Sequence, residues 1–360
     1  MGQPAFIFGS YSPLAAVTAN SSKAGFSAND ILGATEDVGH TPATSGDVVY
    51  TIDCSSARGV DVLAVLGEGF DGLLCSIEGS SDGSAWVPME INQATNGAFA
   101  SDTGWTKGTG WTIASGIASS DASQTGNSDL AQGALTAGKR YLVQYTVSGR
   151  TAGTITAVCG GQAGVVCSSN ATFTETIVCD ADGTFKLRAN LDFDGDVDNV
   201  SYAELLPLSL DLNAAWRSCV AGSYRYFRLT LYGAPSSLLI NHLCLDTLAA
   251  WPYLEEDWDG SGVVVEGEYQ ISAAGYFAGG TAQKAERKMP IVPGVVTSAE
   301  FPTLQAFAAE VIRPMAGCFF VPDVAASAVY FGCIEGKSFA APFKNGAHEV
   351  QSMVFIARAA

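Results

Sequence analysis

The sequence predicts a mainly β protein of stacked sandwiches, one inserted into another, followed by an α+β segment. Three observations predict this. Short apolar runs rich in Val, Ile, Thr, Tyr and Phe recur between Gly, Ser, Asn and Asp clusters. One stretch alone, residues 301–312, has convincing helical periodicity. The texture also changes near residues 92 and 206, and the strand pattern before the first change continues after the second.

The elements follow in order. DVVYTIDCS, VDVLAVLG and LLCSIEGS read as strands before the first change, and Asp82-Gly83 with Trp86 after it is a hairpin signal. In YLVQYTVSG, alternation sets Tyr141, Val143, Tyr145 and Val147 on a greasy face and Leu142, Gln144, Thr146 and Ser148 on the other. YRYFRLTLYG and SLLINHLCL resume the first series. Beyond Pro252 come a hairpin pattern (VVVEGEYQISAAGYF) and the helix with Leu304, Phe307, Ala308 and Val311 on one face. Pro302 opens that helix and Pro314 ends it. The expected domains are 1–91 with 207–250, an inserted 92–206, and 251–360.

Composition narrows the function classes. The chain has 360 residues, 48% hydrophobic and only 15% charged, so it can bury large cores. Lys and Arg total 18 against 36 Asp and Glu, a net charge of -18, which repels phosphate backbones; no nucleic acid partner is expected. The N-terminus lacks a basic, apolar leader pattern, and no run reaches the roughly 18 apolar residues of a membrane helix, so synthesis in the cytoplasm without membrane insertion is expected. Nine cysteines occur without CxxC or a zinc spacing. Those in AVCGG, VVCSS and TIVCD, namely Cys159, Cys167 and Cys179, read either as buried thiols or as members of disulfides of undetermined pairing.

Catalytic patterns fail. His40 lies in a polar loop, His242 in a strand and His348 near a turn, and no GxSxG elbow accompanies them. Gly332-Cys-Ile-Glu-Gly336-Lys337-Ser338 is one residue short of a phosphate loop and reads as a turn. Asp192, Asp194, Asp196 and Asp198 alternate in DFDGDVDN, but their order does not fit an EF-hand. Trp105 and Trp111, with Tyr145 and Tyr202, supply rings that would serve either as a sugar-stacking platform or as sandwich core.

The middle segment carries the most specific pattern: Asn96-Gly97-x-Phe99, Gly104-Trp105, Gly110-Trp111, Leu135-x-Ala137-Gly138-Lys139-x-Tyr141 and Asp194-Gly195-x-x-Asp198-Asn199-Val200. It resembles the jelly-roll β-sandwich of carbohydrate-binding modules, related to galactose-binding-like domains, that occurs in phage virion proteins. The resemblance implies one structural calcium held by Asn96 and Asp198, and no other cofactor. Residues 26–90 and 224–248, with Asn29, Ile52-Asp53, Gly79-Ser-Ser-Asp-Gly-Ser-x-Trp86 and Tyr226-x-Arg228-Leu229, resemble the discoidin-like sandwich of phage tail proteins. There Arg228 is expected in a structural pair. Residues 252–360, with the basic cluster Lys284, Arg287 and Lys288 and Phe319-Phe320-Val321-Pro322-Asp323, resemble α+β domains of tail and baseplate rings.

Together these imply a non-enzymatic virion protein of the tail, neck or collar, or baseplate. It would be made in the host bacterial cytoplasm and assembled as a homo-oligomeric ring with other phage structural proteins, its inserted sandwich exposed toward a host surface glycan. The alternative is a soluble carbohydrate-binding protein or an accessory module of a glycan-degrading enzyme.

Overall fold

A computed structural model describes residues 5–7, 16–32 and 39–250 except Asp71, Asp182, Leu212 and Asn213, and beyond 250 a series of strands. The fold is mainly β. Its strands are β1 Ala5–Ile7, β2 Ala16–Ala19, β3 Gly46–Glu68, β4 Leu74–Ser80 and β5 Val87–Pro88. Then come β6 Thr106–Lys107, β7 Trp111–Ala114, β8 Ile117–Asp121, β9 Ser128–Leu135 and β10 Arg140–Ala152. These are followed by β11 Ile155–Cys159, β12 Gln162–Cys167, β13 Ala171–Val178, β14 Gly183–Ala189 and β15 Asp194–Glu204. The series continues with β16 Ser209–Asp211, β17 Ala214–Ala234 and β18 Leu239–Asp246. Among the described residues the one helical turn is a 3-10 segment, Ala28–Leu32.

The chain divides into two compact units, Met1–Val87 with Pro207–Ala360, and Pro88–Leu206. In the first, β18, β3, β17, β4 and β5 lie side by side, with β2 and β16 pairing at β3 and β17. The early half of β3 alternates, burying Val48, Tyr50 and Ile52, as a strand with one wet face must. Its later half buries Val62, Leu63, Ala64 and Val65 consecutively. The cause is a second layer: Val321 packs with Val62, Ala64, Ala214, Trp216 and Cys244. Val321 belongs to a sheet ordered Ala249–Ala250, β1, Cys318–Val321, Tyr330–Glu335, Met353–Arg358, Glu286–Ile291 and Val263–Val264.

Beyond residue 250, Gly267–Ile271 and Phe277–Ala282 pair as a hairpin. Of the stretch Gly332 to Ser338, read above as a turn, Gly332 to Glu335 is strand, paired with Val354 to Ala357, and Gly336, Lys337 and Ser338 lie outside the described residues. The helix expected over 301–312 and the side chains of Lys284, Arg287, Lys288 and His348 lie outside the described residues.

The second unit is a sandwich of two five-stranded antiparallel sheets, ordered β13-β10-β15-β8-β7 and β12-β11-β14-β9-β6. Inward residues of both sheets share one core that includes Phe99, Tyr141, Val143, Val147, Leu130, Phe185, Leu187 and Phe193. The module's two ends meet: Gln93 N–H donates to the Tyr202 carbonyl at 2.8 Å, and the Asn92 side chain accepts from Tyr202 N–H at 3.2 Å. In the first unit, Pro207 bridges Leu74 on β4, the strand next to β5.

Candidate functional site

The four rings proposed from the sequence do not form a platform. Trp105, Trp111, Tyr145 and Tyr202 are all buried in the sandwich core. The alternation that makes one face of β10 and β15 apolar carries the tyrosines inward. Each ring has a structural partner. Trp105 Nε1–H donates to the Asn96 carbonyl at 3.1 Å and Trp111 Nε1–H to the Ser128 carbonyl at 3.3 Å. Tyr202 stacks on Phe185 with centroids 4.5 Å apart, and the Tyr145 hydroxyl lies 2.8 Å from Cys167 Sγ.

Asn96 and Asp198 also serve other ends. Val200 N–H donates to the Gly97 carbonyl at 2.9 Å, so the opening and closing segments run side by side. The Asn96 amide nitrogen donates to the Ser101 and Thr103 carbonyls at 2.6 and 2.8 Å, while Asp198 accepts from Asn199 N–H at 2.6 Å. Both side chains are thus engaged with backbone groups close to them in sequence. Among the described residues no three His, Cys, Asp or Glu side chains group around a metal position.

Cys159, Cys167 and Cys179 are buried free thiols. Burial pushes the Cys159 thiol up to about 12, far from the thiolate that redox chemistry or metal binding requires.

His40, read above as a loop residue, is fully buried: its backbone bridges Ile240 and its ring spans two hydroxyls. Nδ1 lies 2.7 Å from the Tyr50 hydroxyl and Nε2 lies 2.9 Å from Ser22 Oγ. Desolvation holds this imidazole below its ordinary value. Ser22 and His40 are distant from any shared motif, so the pattern left no trace in the sequence. His242 is buried on β18, as a sheet role requires.

The chemistry-bearing side chains that do converge lie on the first unit's central strands, where Glu78 is buried and Arg225 exposed. β17 pairs β4 so that Arg228 faces Glu78, and the two form a bidentate ion pair with both contacts at 2.7 Å. Trp86 covers this pair, the guanidinium lying 4.5 Å from the Trp86 ring. Further along β17, Arg225 grips Asp53 of β3 at 2.9 Å through two nitrogens and lies 4.7 Å over the Tyr226 ring. The Arg225 hydrogen bond holds the Asp53 carboxyl below its usual range. Trp86 is placed by the Asp82 turn, where Ala85 and Ser84 N–H groups donate to Asp82 at 3.0 and 2.8 Å and hold its carboxyl low.

In this arrangement each guanidinium is paired with a carboxylate and lies against an aromatic ring. The sequence showed Arg228 as half of a structural pair. It marked Asp53 and Tyr226 only as landmarks of the sandwich pattern and missed Arg225, although the Tyr-Arg-Tyr-Phe-Arg run was the available signal.

No protein-family model matches the chain, and a search of curated proteins finds no match. Among solved structures the chain is similar to a fucolectin from the serum of the striped bass Morone saxatilis. The identity is 7% and the TM-score 0.20, over 67% of this chain and 97% of the lectin. What is established is the mainly β sandwich architecture, and it stands on the strand pairing described above.

Proposed function

We propose that this chain is a non-enzymatic structural component of a bacteriophage virion, in the tail, neck or collar, or baseplate. It is made in the host bacterial cytoplasm and assembles with other phage structural proteins. The inserted sandwich serves as a rigid decoration rather than a chemical centre. The observation that carries this reading is how the rings are used. Trp105, Trp111, Tyr145 and Tyr202, the side chains best suited to hold a sugar, are spent on packing. The resemblance of the two sandwich patterns to virion modules supplies the biological setting, and the low charge of 15% suits burial against neighbouring subunits.

Mass spectrometry and immunolabelling of purified phage particles, with antibody against residues 92–206, test the reading. Labelling at the tail, collar or baseplate with fixed copy number is expected. Free protein in the lysate with none on particles would overturn it in favour of a soluble glycan-binding protein.

A further inference from the structure

Ser22 stands between β2 and the 3-10 segment, in a stretch that is tied down on both sides of it. The Asn20 side chain accepts from Val49 N–H at 2.9 Å and donates to the Asp47 carbonyl at 3.1 Å. Ser21 Oγ accepts from Ala43 N–H at 3.1 Å, and Lys23 N–H donates to the Thr41 carbonyl at 2.9 Å. The hydroxyl between them goes elsewhere: Ser22 Oγ lies 2.9 Å from His40 Nε2. Ser22 is exposed, as are Lys23, Ala24 and Gly25 after it, while His40 and Tyr50 are 0% exposed. A hydroxyl open to solvent thus rests against a fully buried imidazole.

The ring is held in a form that can take a proton. Desolvation keeps it neutral near pH 7. Burial raises the Tyr50 phenol far above its ordinary value, so Tyr50 stays a hydroxyl, and its oxygen, 2.7 Å from Nδ1, can accept Nδ1–H. That tautomer leaves the Nε2 lone pair facing Ser22 Oγ–H. Two groups that favour the protonated ring are also in place, the Ser21 backbone and the Asp30 charge. Nucleophile, base and the group that orients the base are each within hydrogen-bond reach of the next.

We propose that Ser22 is a covalent modification site, a serine nucleophile that takes the acyl group of an activated carboxylic ester with His40 as general base. Ser22 Oγ–H passes its proton to Nε2 as Oγ bonds the carbonyl carbon. The bond from that carbon to the leaving oxygen then breaks, and Nε2 gives the proton to the leaving group, yielding an O-acyl serine and a free alcohol or phenol. The ester has to be activated, because Lys23 N–H, the next amide after the serine, is committed to Thr41 and does not serve the developing oxyanion. The acyl-serine is itself an ordinary alkyl ester, so the same site leaves it in place. The proposal is independent of the virion reading, since it concerns this chain alone.

Incubating the full chain with 4-nitrophenyl acetate and mapping acetylated residues by mass spectrometry, with Ser22 resolved from Lys23, tests it. Ser22 is expected to acetylate about a hundredfold faster than exposed Ser56 on β3, a gain typical of a general base. Its rate should level off between pH 7 and 8, where His40 is neutral, whereas an unassisted hydroxyl reacts through its alkoxide and speeds up about tenfold per pH unit. Asp30 and Tyr50, the titratable groups facing His40, ordinarily titrate outside that range. His40→Asn should bring the Ser22 rate down to that of Ser56 with circular dichroism intact. A wild-type Ser22 that reacts no faster than Ser56, a rate that climbs tenfold per pH unit, or a folded His40→Asn chain that reacts as fast as wild type overturns the proposal. Where His40→Asn does not fold, the wild-type rate ratio and pH profile decide alone.

Discussion

Glu78 and Arg228 are bound by the same two contacts but are not equally replaceable. The Glu78 side chain is 4% exposed and that of Arg228 is 27% exposed. Removing the arginine strands a carboxylate away from water, whereas removing the glutamate leaves a guanidinium that can still reach solvent beside Trp86. Arg228→Ala is therefore expected to cost about 3–5 kcal/mol and Glu78→Ala clearly less, read from urea unfolding midpoints. The core tryptophans give a second residue-scale test. Trp105→Ala or Trp111→Ala should cost about 3–5 kcal/mol, and thermal unfolding should register the loss whether or not any sugar is present.

His40 makes one segment of the fold sensitive to acid. A neutral imidazole can accept at one nitrogen and donate at the other, but a protonated one donates at both. Because burial lowers the folded pKa below 6.5, the unfolded chain binds the proton first as pH falls. Its contribution is fully present above 6.5 and is lost as pH drops through 6.5 toward the folded value. Asp53 and Asp82 titrate below their ordinary 3.8, outside that window. Glu175 acts with the opposite sign, its raised pKa withdrawing stability as pH rises through the folded value. Denaturant midpoints between pH 7.5 and 5.5 should therefore fall more for wild type than for His40→Asn.

At the scale of elements, strand alternation was legible wherever one face stays wet. YLVQYTVSG places its side chains as the pattern demands, because period two is a property of the strand itself. The later half of β3 was less legible. Its unbroken burial comes from Val321, far along the chain, and no local pattern encodes a layer contributed from a distance. The same reason hid the role of β1, which joins a sheet whose other members come after residue 248. The Asn96-Gly97 motif was legible as a landmark, yet its purpose is steric. A Cβ on Gly97 would lie 1.9 Å from the Val200 carbonyl oxygen. Gly97→Ala should thus pry apart the opening and closing segments and cost about 1–3 kcal/mol or more, measurable as a lower melting point with faster amide exchange at Val200.

For the whole molecule, the composition shifts marked the excursion because a sandwich with its own core needs its own full set of inward residues. The candidate binding rings were misplaced for a related reason: sequence gives ring spacing, but only the closed sandwich decides which side of a sheet is inside. The second unit has a core drawn wholly from its own residues. Calorimetry of the full chain should then show more than one transition, and residues 88–206 expressed alone should retain the blue-shifted emission of buried Trp105 and Trp111.

Leu208 N–H donates to the Leu73 carbonyl at 3.2 Å, so the returning chain is tied to the strand beside the one it left. The excursion's ends are likewise tied together through Asn92, Gln93 and Tyr202. A gene encoding such a junction can trade one cassette for another by recombination, because neither splice point asks the host strands to change register. Replacing residues 89–205 with a short glycine-serine bridge would mimic that exchange.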